Sequence, residues 1–116
     1  MNKTIKLVLP KSPTLQDYQG YVKLMEEIRG FSDQPLLYNC LLLGEEVGEL
    51  FKAIRKEQKD MSYDNKKSKS HMISEELADV MMFVFAIANK CNIDLEEAFR
   101  EKEEENKKRS WTKKEN

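Results

Sequence analysis

Glu76-Leu77-Ala78-Asp79-Val80-Met81-Met82-Phe83-Val84-Phe85-Ala86-Ile87-Ala88 is the stretch that decides the fold. From Leu77 to Ala88 every residue is apolar except Asp79, and neither Gly nor Pro interrupts the run. It falls well short of the roughly 20 residues that span a bilayer. A helix apolar almost all round is expected to be buried. An unpaired carboxylate there is costly, or takes up a proton, so Asp79 needs a partner. Glu76, one turn earlier, lies on the same face, and Phe83 continues that face.

Working outward, Ser74 followed by Glu75 and Glu76 opens this helix, which runs to Lys90. Asp94 with Glu97 resembles a capping box for a further helix reaching about Arg109. Upstream, residues 58–73 turn to Lys, Asp, Asn and Ser and read as a solvated loop of no assigned role. Before that loop, Pro35 suits the first turn of a helix carrying Leu36, Leu43, Val47, Leu50 and Ile54 on one stripe. Thr14 or Ser12 can cap a first helix through Arg29, which Gly30 ends. Its apolar positions Leu15, Tyr18, Val22, Met25 and Ile28 follow helical spacing. The expected organisation is an extended arm over 1–13, an all-α domain over 14–110 and a polar tail over 111–116.

Composition agrees. The chain has 116 residues with 4 Gly and 3 Pro, so a many-turned sandwich or barrel is excluded in favour of long helices. The expectation is an all-α, four-helix bundle-like single domain. A formal charge of -1 argues against wrapping a nucleic acid polymer or docking on an anionic membrane. Cys40 and Cys91 are too few for a disulfide framework and sit in apolar helical patterns. Leu7-Val8-Leu9 is too short for the core of a signal peptide. A cytoplasmic, reduced protein is expected.

Two further stretches break the helical pattern. In Leu43-Gly44-Glu45-Glu46-Val47-Gly48-Glu49-Leu50, Glu46 and Glu49 sit about 60° apart on the flank of the apolar stripe. Glu45 falls on the polar side, near Lys52 and Lys56. Gly44 and Gly48, one turn apart, suggest a close approach by a ligand or a neighbouring helix. If the two acidic helices pack antiparallel, Glu46, Glu49, Glu76 and Asp79 converge. Four hard oxygen donors without Cys or His select Mg²⁺ or Mn²⁺ over zinc. The lone histidine, His71, excludes the Glu-x-x-His pairs of a di-iron bundle. In the last helix the apolar face of Leu95, Ala98 and Phe99 continues as Lys102, Asn106 and Arg109, groups suited to phosphate oxygens. The competing interpretation is structural, with the acids paired to Lys and Arg and the last helix end merely solvated.

These residues resemble the MazG-like nucleotide pyrophosphohydrolases of the all-α NTP pyrophosphatase superfamily. Leu43 to Leu50 is similar to their Glu-Glu-x-x-Glu motif, and Ser74-Glu75-Glu76-Leu77-Ala78-Asp79-Val80 to their Glu-x-x-Asp motif. The separation of the two is also typical, and the resemblance covers roughly Leu15 to Arg109. It implies that Glu46, Glu49, Glu76 and Asp79 ligate Mg²⁺, with Mn²⁺ as a substitute. Glu45 and Glu75 would orient or deprotonate the attacking water, and Lys102, Asn106 and Arg109 would bind substrate. The implied reaction cleaves a nucleoside triphosphate to monophosphate and pyrophosphate, as house-cleaning of the nucleotide pool. The implied assembly is a homodimer or homotetramer. No P-loop motif is present. Phe31, Tyr38 and Trp111 are candidates for stacking on a base or for packing. The alternative is a non-catalytic helical module that binds nucleotide or protein and retains the family's site.

Overall fold

A computed structural model describes residues 6–58 and 69–111. Among these residues the chain forms four helices and no strand: α1 Leu15–Arg29, α2 Leu36–Lys56, α3 Lys69–Lys90 and α4 Leu95–Lys107. None is long and apolar enough to cross a membrane.

Local chemistry sets most of the boundaries. Thr14 caps α1 reciprocally: its hydroxyl accepts from Asp17 N at 3.1 Å and its own N–H donates to Asp17 Oδ2 at 2.8 Å. Gly30 ends α1 in the left-handed region at φ 78, where its N–H reaches the carbonyls of Glu26 and Glu27. Pro35 stands at the N-cap of α2, one position outside the expected first turn, with no side chain capping the helix. Asp94 caps α4 by accepting from the backbone N–H of Glu96 and Glu97. Two boundaries differ from expectation. α3 starts at Lys69, so the latter part of the expected 58–73 loop is helical, while residues 59–68 lie outside the described residues. α4 stops at Lys107, short of Arg109.

α2 and α3 run antiparallel and form the main pair. α1 packs on α3 around a core of Val22, Met25, Phe85 and Ala86, bordered by Leu7, Tyr18, Tyr21 and Leu95. Tyr18 and Phe85 stack with ring centroids 6.1 Å apart. α4 is held at its base. Gln19 of α1 donates to Ile93 O and accepts from Leu95 N at 3.1 Å, while Gln16 donates to Asp94 Oδ2 at 2.8 Å.

Burial departs from the expected pattern in three places. Leu77, Met81, Met82 and Val84 are exposed, so α3 is covered on one side only. Phe99 is 71% exposed, because only the start of α4 rests on α1. Cys40 and Cys91 are free and exposed rather than core-forming. The Cα radius of gyration is 18.1 Å, against about 13 Å for a compact domain of about 100 residues. The chain is open, with apolar surface left uncovered.

Candidate metal centre

At about 100° per residue, Asn39, Glu46 and Ala53 form one line along α2, each about 20° off the last. That line faces the other helices: Asn39 and Ala53 are buried and Glu46 is half-buried. On α3, Glu76 and Asp79 share a face by their one-turn spacing, and both are half-buried. One carboxylate oxygen from each of Glu46, Glu76 and Asp79 lies within 4.8 Å of the others.

Three negative charges this close cannot all persist without compensation. The Glu46 carboxyl is pushed up from 4.5 to about 7. Burial is the largest cause, followed by the side-chain hydrogen bond with Glu76 and the charges of Asp79, Glu76 and Glu45. A bond between two carboxyls needs a proton between them. The other Glu76 oxygen, Oε2, is buried with no hydrogen-bond partner. Among the described residues no Lys or Arg forms an ion pair with any of the three, so the salt-bridge interpretation has no counterpart there. An orphaned buried carboxylate oxygen inside an all-oxygen donor set fits a hard divalent cation. Ligand oxygens around one Mg²⁺ stand at most about 4.2 Å apart, so a small contraction would close the cradle.

The other expected site residues are placed differently. Glu49 sits about 60° around α2 from Glu46 and is exposed on the rim, outside the trio. Glu45 is exposed and Glu75 half-buried. Lys102 and Arg109 are exposed. Asn106 is half-buried, with its carbonyl accepting from Trp111 Nε1 at 3.0 Å. The structure brings Glu46, Glu76 and Asp79 together and leaves Lys102, Asn106 and Arg109 away from them within one chain. Gly44 and Gly48 lie on the opposite side of α2, where an added Cβ would meet nothing within 4 Å. No close approach occurs there within the chain.

Beside the trio lies a cavity of about 270 Å³. Glu46 and Asp79 border it, and Glu26, Phe31, Gln34 and Asn39 complete its polar and aromatic lining. The turn at Gly30, with Phe31 N donating to Glu26 O at 2.7 Å, brings Phe31 to this wall. Burial raises the Glu26 carboxyl, an effect that Lys90 opposes. Sequence reasoning missed Asn39, and a signal existed: it stands two turns before Glu46 on the same line, the one amide in a Leu-rich stretch.

The family model described as the MazG nucleotide pyrophosphohydrolase domain matches residues 34–111, more than half of the chain. No curated protein matches the chain.

Proposed function

The chain belongs to the MazG nucleotide pyrophosphohydrolase family, and from that premise we propose that it is a Mg²⁺-dependent hydrolase of nucleoside triphosphates. The products would be a nucleoside monophosphate and pyrophosphate, serving to clear unwanted (d)NTPs from the nucleotide pool. The observation that carries this reading is the carboxylate trio with its orphaned Glu76 oxygen, opening onto a ligand-sized cavity.

Glu46, Glu76 and Asp79 hold the cation, and Glu49 on the rim joins them by a side-chain rotation. When bound, a divalent cation offsets the charge of the triphosphate and makes water a competent nucleophile near neutral pH. Glu45 and Glu75 orient the water or accept its proton. Lys102, Asn106 and Arg109 bind phosphate oxygens, Arg109 by its fork and Lys102 as a point charge. Because these three stand apart from the trio within one chain, their role calls for a homo-oligomer. The apolar surface left open on α2 and α3 is where a second copy would dock.

The test is pyrophosphate release from a panel of (d)NTPs with Mg²⁺ or Mn²⁺. The parent chain should release it, and Asp79→Asn and Glu76→Gln should not. Nucleotide binding without turnover under any divalent cation would replace this reading with the non-catalytic module.

A further inference from the structure

Asn39 is 1% exposed, and neither its Oδ1 nor its Nδ2 has a hydrogen-bond partner. A buried amide left open at both ends is rare in a folded chain, because both groups forgo water for nothing. It lines the same cavity as Glu46 and Asp79. Seven residues separate it from Glu46 along one helix face, a rise of roughly 10 Å. That is about the reach from the edge of a nucleobase to its phosphates. The cavity, at about 270 Å³, lies just under the usual lower limit of about 300 Å³ for small-molecule sites. It suits a nucleoside whose phosphates extend out past the carboxylates. Phe31 and Phe83 supply aromatic surface for the base.

We infer that this cavity is a nucleobase pocket in which the Asn39 amide reads the base edge, with Glu26 as a second acceptor. This inference rests on the pyrophosphohydrolase reading of the neighbouring carboxylates. An amide presents a donor beside an acceptor, the complement of a ring nitrogen next to an exocyclic amino group. Glu26, lining the same cavity, accepts from amino hydrogens. Cytosine and adenine offer that edge, whereas uracil and thymine do not. Asn39 is therefore the residue that sets preference for amino-bearing bases.

The experiment compares dCTP, dATP, dUTP and dTTP with Mg²⁺ on the parent chain, Asn39→Leu and Asn39→Ser. It reads kcat and KM from pyrophosphate release, and melting temperature with and without each nucleotide. The parent should favour dCTP or dATP by about tenfold or more in kcat/KM. Both variants should bring the ratio close to one, chiefly by raising KM for the amino bases. Without nucleotide, Asn39→Leu should melt no lower than the parent, since it removes an unpaired amide. An unchanged ratio in either variant overturns the inference, as does a parent that favours dUTP or dTTP. A sharp loss of melting temperature in Asn39→Leu also overturns it, because the amide would then be structural. A parent that hydrolyses nothing, yet is stabilised more by dCTP than by dUTP in an Asn39-dependent way, refutes turnover and keeps the pocket. A chain that no triphosphate stabilises overturns both.

Discussion

The two long faces of α2 invert what a surface helix ordinarily shows. Its inner line, Asn39, Glu46 and Ala53, is mostly polar and lies inside the molecule. Its outer line carries Leu37 at 72%, Leu41 at 65% and Phe51 at 65% exposure, with Gly44 and Gly48 between them. Polar groups in the interior and large apolar groups in water both work against a stable monomer. Each face is therefore incomplete in one copy of the chain. The inner one lacks a cation and a ligand, and the outer one lacks a second protein surface. The glycines sharpen the contrast, since the open space above them lets another helix come close.

The largest effect should come from attacking the inner face at its acids. Asp79→Asn or Glu76→Gln should lower pyrophosphate release by more than the roughly 10–100-fold typical of losing a group that merely supports a metal ligand. Full activity in both variants would remove the metal role. The outer face is tested by Leu41→Lys with Phe51→Lys, scored by light scattering. The parent should have a mass at least twice its 13.7 kDa, and the double variant should approach the single-chain value. A monomeric parent would show that the exposed stripe is not an interface between copies.

A smaller, pH-dependent effect follows from Glu46. Its carboxyl titrates near 7 in the folded chain against 4.5 ordinarily. The folded state therefore binds the proton more tightly than the unfolded one. That contribution to stability is complete below about pH 4.5 and fades as pH rises through 7. Without metal, the melting temperature should fall by a few degrees between pH 5 and pH 8, and Glu46→Gln should flatten the curve. Mg²⁺ competes with that proton, so its stabilising effect should be greater at pH 8 than at pH 6. Equal Mg²⁺ shifts at both values would contradict the coupling. The smallest effect is expected at Gly30→Ala, which places a side chain at φ 78 and should cost about 1 kcal/mol in a chemical denaturation curve.

Helical spacing and end signals carried most of the fold. The stops at Thr14, Gly30 and Asp94 act through bonds within a few residues, so local reading finds them. Glu46, Glu76 and Asp79 stood out because carboxylates interrupt apolar runs at one-turn spacing. Other features depend on packing that no local pattern encodes. The Lys and Ser residues before Ser74 read as loop, yet Lys69 already continues α3. Phe99 has the right phase for a core position, but α1 supports only the beginning of α4. Glu49 shares the flank with Glu46, and the orientation of α2 turns it outward. Asn39 passes unnoticed in sequence because one amide among leucines is unremarkable until its burial and missing partners are known.

Gln19 uses both ends of one amide on the corner between α3 and α4, giving a proton to Ile93 O and taking one from Leu95 N. One carbonyl at the close of a helix and one amide hydrogen at the opening of the next are thus matched by a single planar group. Shifting either out of register would strand both. The spacing from Ile93 to Leu95 consequently tolerates no added or deleted residue, and a protein engineer should put fusions, tags and permuted termini elsewhere.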